Sequence, residues 1–283
     1  MTTPDTAQPE APQYEPRPPA WRLHLTLAVT FLTRLPLPVR CQVTAEDLRA
    51  SMGWYPLVGL GLGVLGWLLY LGAYLLFSSM VAAVLVIVLL EMAAGALHLD
   101  GFMDTCDGIG SGKPRERALE IMKDSRVGAM GVFGAIAVLL VKVSALDALP
   151  GSRTILNTLA IGWTAARVLP IYNTLLFPYA RETGTGKPFV RRGARWPILR
   201  ATAVALFIAF LFNGLDGMLL AAAVIALPLL AQQAIARKLG GLTGDVYGMG
   251  IELGEAVALL GGCVLAQYGL NELLFWFGLS LLF

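Results

Sequence analysis

Residues 54–98 read WYPLVGLGLGVLGWLLYLGAYLLFSSMVAAVLVIVLLEMAAGALH, and the fold follows from how this stretch is read. Glu91 is the only Asp, Glu, Lys or Arg in it, whereas a soluble amphipathic helix carries charge along one face. A bilayer core takes about 20 apolar residues per helical crossing, so the stretch predicts two crossings, 54–77 and 80–98, joined by a turn at Ser78-Ser79. Working outward, 128–148, 154–177, 198–213, 217–236 and 256–279 have the same character, with short turns near Leu149-Pro150-Gly151 and Asn213-Gly214. The expectation is an all-α, polytopic integral membrane protein with about seven transmembrane helices arranged as helical hairpins.

Composition agrees. Of 283 residues 57% are hydrophobic and 14% charged, against about 45–50% and about 25% in soluble proteins. The 21 Lys and Arg stand against 19 Asp and Glu, a net charge of +2. That balance excludes a protein that grips nucleic acid through bulk charge. Cys41, Cys106 and Cys263 are widely spaced and form no CxxC, so they predict neither a disulfide framework nor a zinc site.

Charge is confined to blocks, as its cost in hydrocarbon requires. Residues 1–50, 99–127, 179–197 and 237–255 hold 32 of the 40 charged side chains and 17 of the 21 Lys and Arg. By the positive-inside rule these blocks, and with them the N-terminus and the catalytic loops, are expected on the cytoplasmic face. Residues 1–20, rich in Pro, Gln and Thr, predict a disordered cytoplasmic tail and no cleaved signal. Residues 21–283 form the expected single membrane-embedded catalytic domain, with Trp21 to Leu37 as an interfacial or half-inserted helix, or else as a further crossing that would put the N-terminus outside.

Residues 98–108, HLDGFMDTCDG, place Asp100, Asp104 and Asp107 at i, i+4 and i+7, on one helical face. Stacked carboxylates repel unless a cation lies between them, and an all-oxygen set favours Mg²⁺ or Mn²⁺ shared with substrate phosphates. The block that follows supplies Lys123 and Arg126, with Arg115 and Arg117, as charge for a diphosphate or as anchors at the lipid surface. A second acidic cluster lies in 239-LGGLTGDVYGMGIELGE-255. Its glycines argue against a stable surface helix and for a close-packed, ligand-lining segment contributing Asp245, Glu252 and Glu255. Arg181, Lys187, Arg191, Arg192 and Arg195 fit a polyanionic ligand or lipid headgroups. Lys142 and Arg167, inside apolar stretches, either pair with acids in the bundle or reach a substrate cavity. Glu91 and His98, seven apart, are expected on one helix face opposite the aspartates.

The chain resembles the cobalamin synthase family, the adenosylcobinamide-GDP ribazoletransferases. The resemblance is carried by TRLPLP at 33–38, YPLVG at 55–59, HLDGFMDTCDG at 98–108, EIMKDSRVG at 120–128, YARE at 179–182, and GGLTGD with ELGE within 240–255. It implies a multi-pass, Mg²⁺-dependent enzyme of the bacterial cytoplasmic (inner) membrane. Such an enzyme joins adenosylcobinamide-GDP to α-ribazole or its 5′-phosphate and releases GMP. Its site residues, so implied, are Asp100, Asp104 and Asp107 for metal; Asp104, Lys123, Arg126, Asp245 and Glu252 for catalysis; and His98, Lys142, Arg167, Arg181 and Glu255 for substrate. The base is Asp245, Glu252 or an unligated aspartate. Membrane lipid is an expected partner, nucleic acid is not, and a homo-oligomer is one arrangement such a chain allows. Three alternatives compete. A CDP-alcohol phosphotransferase has Ala-Arg in its motif, absent here; a prenyl diphosphate transferase has Asp-Asp-x-x-Asp, absent from 240–255; and a cation transporter places its acids at mid-bilayer.

Overall fold

A computed structural model describes residues 15–184, 186–190 and 195–276. Among them there is no strand, and the chain is a polytopic membrane protein built from helices. In order these are α1 (Ala20–Leu32), α2 (Ala45–Ser51), α3 (Tyr55–Tyr74), α4 (Ser79–Ala93), α5 (Leu97–Gly110), α6 (Arg115–Ile121), α7 (Ala129–Ala148), α8 (Gly151–Ala166), α9 (Leu169–Leu176), α10 (Arg195–Leu239) and α11 (Gly244–Trp276). Four stretches are long and apolar enough to cross a membrane: Ala45–Tyr74, Ala129–Ala148, Trp196–Leu239 and Gly244–Gly269. The pair α4–α5, bent by 91°, makes a fifth if counted as one.

The seven expected stretches thus appear as helices over their described residues, with four differences, one of them that Gly269, at φ 68°, leaves helical geometry within 256–279. The stretch 80–98 breaks at Gly95 and Ala96, whose φ values are 66° and 52°. Ala96 is the only non-glycine at positive φ among the described residues, a costly conformation, and the backbone N–H of Arg34 donates to Ala93 O across the break. The stretch 154–177 divides into α8 and α9. Within α10, Asn213 and Gly214 leave helical geometry. A Cβ at Gly217 would overlap the carbonyl of Ala209, eight residues back, where a continuous helix holds it about 12 Å away. The arms of α10 therefore fold back on each other, as two expected crossings.

Local chemistry sets several helix starts. Thr44 and Asp47 cap α2 reciprocally, Pro56 occupies the first turn of α3, and Ser78 accepts from Val81 N to start α4. Because lipid offers no hydrophobic drive to bring helices together, close packing does the work. Gly59 and Gly63 on α3 lie against the backbone carbonyls of Trp163 and Leu159 on α8, with no room for a Cβ. The central helix α8 is buried at almost every position from Leu159 to Ala166. Phe133, Leu140, Phe207 and Leu211 point outward, as a lipid-facing surface requires.

The end of the expected tail is ordered from residue 15: Arg17 pairs with Asp47, and Glu15 with Arg40. Residues 1–14 of that tail, and Arg191 and Arg192, lie outside the described residues, as does the Arg195 side chain.

Candidate active site

The expected aspartate helix is α5, and it packs antiparallel to the start of α11. Gly101 lies on the backbone of Asp245, too close for a side chain, and Gly248 lies tightly against that of His98. The 239–255 segment is therefore largely helical, from Gly244 onward. Its glycines, which argued for close packing, are where neighbours approach: α5 at Gly248, Gln232 at Gly250 and Ala166 at Gly254. The contact with α5 sets Asp245 opposite Asp100 and Asp104. Asp104 experiences repulsion from Asp245, Asp100 and Asp107 and attraction from Arg181.

Asp107 faces a different way. Its two carboxylate oxygens accept hydrogen bonds of 2.7 Å from the backbone N–H groups of Gly131 and Gly128, at the start of α7. It caps that helix, where orphan N–H groups and the helix dipole favour a carboxylate. Among the described residues, neither the three aspartates nor Asp100, Asp104 and Asp245 converge as one set of metal-ligand atoms; the trio that does is Glu91, Glu252 and Glu255.

Arg181 reaches the cluster from the 178–184 loop, its Nη1 2.8 Å from Asp245 Oδ2. Its Nε and Nη2 are buried without a protein partner, a costly state that an anionic ligand would relieve. Thr243 Oγ1 donates to the same Asp245 oxygen at 3.2 Å. Two backbone bonds dock the loop on the corner between α10 and α11: Ala180 N to Leu242 O and Leu242 N to Pro178 O, both 2.9 Å. Arg115 fastens the same joint, its Nε donating to Leu239 O at 2.7 Å and its Nη2 to Ala180 O at 3.1 Å. Sequence spacing gave no sign of that task, because its acceptors are main-chain carbonyls 65 and 124 residues away. Burial pushes the Tyr179 phenol above its usual range, and its ring meets that of Tyr247 edge-on.

Lys123 lines a cleft with Arg115, Arg181, Glu116, Glu120 and Glu182. Arg126 is 88% exposed and pairs with Asp124 at 2.7 Å, which holds the Asp124 carboxyl down at about 2.

The remaining expected residues form a separate buried group. Lys142 Nζ lies 2.9 Å from Glu91 Oε1, 2.5 Å from Glu252 Oε2 and 2.6 Å from Glu255 Oε2, and is fully buried. Arg167 pairs with the other oxygen of Glu255. Of the two openings left for Lys142 and Arg167, the structure takes pairing with acids. His98 is buried beside Arg167 and Glu255 and borders the cavity that Asp100 and Asp245 line. Glu91 and His98 stand on different helices, because the break at Ala96 separates them. Glu252 lies in this interior group, two helical turns from Asp245.

A model of the cobalamin-5-phosphate synthase family matches residues 24–264. The chain belongs to that family. It is 41% identical, over 84% of its length and 95% of the relative's, to the adenosylcobinamide-GDP ribazoletransferase of Desulfitobacterium hafniense (strain Y51). It is 39% identical to that of Brevibacillus brevis (strain 47 / JCM 6285 / NBRC 100599), over 82% and 94%. To that of Escherichia coli (strain K12 / DH10B) it is 35% identical, over 82% and 96%. No solved structure matches it.

Proposed function

We propose that this chain joins adenosylcobinamide-GDP to α-ribazole or its 5′-phosphate in cobalamin biosynthesis, with release of GMP. The observation that carries the chemistry is the meeting of Asp100, Asp104 and Asp245 with an arginine whose Nε and Nη2 have no protein partner. Family membership supplies the substrates. A ribose hydroxyl attacks the cobinamide-side phosphorus of the diphosphate, the P–O–P bridge breaks, and its electron pair leaves with GMP. Arg181 directs its free N–H groups to the diphosphate. Lys123, across the cleft from Arg181, adds charge there as the leaving group forms. Asp245, hydrogen-bonded by Thr243 and Arg181, is held in place to take the hydroxyl proton.

The donor set suits Mg²⁺, being all oxygen and carrying more negative charge than Arg181 balances. Asp100 and Asp104 would hold it, leaving Asp245 for the hydroxyl proton, while Asp107 holds α7. Mg²⁺ bound there supplies charge neutralisation at the phosphoryl oxygens. The excess of Lys and Arg in the blocks around this site supports a cytoplasmic orientation in the bacterial inner membrane, with the N-terminus cytoplasmic.

The test is GMP release by detergent-solubilised protein supplied with adenosylcobinamide-GDP, α-ribazole 5′-phosphate and Mg²⁺. Wild type should release GMP, and Asp104→Asn or chelator should abolish it. Well-folded wild type that releases none would refute the proposal.

A further inference from the structure

Two spaces of opposite character flank the Arg181–Asp245 pair. On the Arg181 side is the charged cleft shared with Lys123. On the Asp245 side is a cavity whose walls are aromatic and whose polar edge is acidic. Phe31 of α1, Tyr55 of α3, Phe189 and Tyr247 line it, together with Asp100 and Asp245. Three of the rings form a connected set, with Phe31 5.1 Å from Phe189 and 6.0 Å from Tyr55 between centroids. Phe31 remains 37% exposed although three other rings surround the space. Tyr247 is 7% exposed and its phenol oxygen is buried with no protein partner. None of these aromatic residues is needed to hold the aspartates.

The two substrates of the proposed reaction differ in the same sense. One brings a diphosphate; the other brings a flat, largely apolar heterocycle on a ribose. We infer that the aromatic cavity receives the base of the acceptor nucleoside and that the charged cleft receives the nucleotide end of the donor. This inference rests on the function proposed above. Aromatic walls hold a flat base by stacking, which needs neither charge nor much hydrogen bonding. The Tyr247 hydroxyl, like that of Tyr55 buried without a partner, offers a hydrogen bond that a ring nitrogen or ribose oxygen would take. A base seated there places its ribose toward Asp100 and Asp245, the edge at which the hydroxyl is to lose its proton. Phe31, Phe189 and Tyr247 are thus specificity-determining residues for the acceptor. Phe31 also ties α1, which precedes every crossing helix, to the site.

The experiment is steady-state kinetics of Phe31→Ala and Tyr247→Phe with each substrate varied separately. Loss of one stacking ring should raise the KM for α-ribazole 5′-phosphate about tenfold, with the KM for adenosylcobinamide-GDP within about twofold of wild type. The same variants should discriminate less between α-ribazole and a ribonucleoside carrying a more polar purine. Should Phe31→Ala fold poorly, Phe31→Leu keeps the volume and removes the stack, and carries the same expectation. A rise in the donor KM alone would assign the cavity to the other substrate. Unchanged KM values for both would mean that a lipid chain or nothing fills it. Either result overturns the inference while wild-type turnover leaves the proposed function standing; wild type without turnover removes both.

Discussion

Replacing Lys142 by Met withdraws the one cation that touches Glu91, Glu252 and Glu255 together. In the native protein these three carboxylates face two cations, Lys142 and Arg167, and the bonds to Lys142 are 2.5–2.9 Å long. Lys142→Met leaves three carboxylates against Arg167 alone, which reaches only Glu255. Removing one partner of a buried ion pair costs about 3–5 kcal/mol, since the abandoned charge stays desolvated. At about 2–4 °C per kcal/mol for a chain of this size, the detergent-solubilised variant should melt about 6–20 °C below wild type. Intrinsic tryptophan fluorescence on heating measures this directly. The charge argument makes a second demand: Glu252→Gln balances two carboxylates with two cations, so it should melt close to wild type, and combined with Lys142→Met it should recover part of the loss. A Lys142→Met protein that melts within 2 °C of wild type would refute the reasoning. The same pair of variants examines the chemistry expected of Glu252. A general base contributes about 10²- to 10⁴-fold to rate, so a comparable fall in kcat for Glu252→Gln at unchanged Tm would return Glu252 to catalysis.

Asp107→Ala should lower Tm by uncapping α7, at a cost of about 1 kcal/mol, whereas Asp104→Asn should leave Tm near wild type and remove turnover; differential scanning fluorimetry beside the GMP assay separates the two. Arg181→Ala should raise the KM for adenosylcobinamide-GDP at least tenfold, consistent with loss of charge-assisted bonds worth about 1.5–3 kcal/mol, and leave the KM for the acceptor within twofold. Arg115→Ala should release the 178–184 loop from the α10–α11 corner, seen as faster cleavage there by trypsin with little change in global melting. Gly63→Leu should prevent α3 from seating on α8, because the carbonyl of Leu159 occupies the space a Cβ needs, and should be read as loss of monodisperse protein on size exclusion.

Sequence periodicity was enough to place Asp100, Asp104 and Asp107 on one helix, because spacing along a single helix is a local property. It could not show that Asp107 turns its oxygens to Gly128 and Gly131, since the need for a cap arises only once α7 is brought alongside. The glycines of 239–255 signalled a close-packed segment but not the helix that carries it. In water they weaken a helix, but inside a bundle they allow another element to approach, and only the neighbours decide between these. The pairing of Lys142 was half legible: an intramembrane lysine announces a partner, while the partner's identity depends on which helices adjoin. Ala96 was illegible, as alanine favours the helix that it here interrupts. The aromatic cavity drew no notice in the sequence because Phe31, Tyr55, Phe189 and Tyr247 come from four segments and each reads singly as packing.

The distance along the chain between Lys142 and its carboxylates has a consequence in time. Glu252 and Glu255 follow it by 110 and 113 residues, and ribosomes add about 5–20 residues per second. For roughly 6–20 s after its synthesis, Lys142 has only Glu91 among its three eventual acidic contacts. During that interval the nascent bundle holds a lysine short of counter-charge, which favours keeping the early helices at the insertion machinery until α11 arrives. The helix that completes this pairing also delivers Asp245, so the reactive centre comes into being only once α11 has been made.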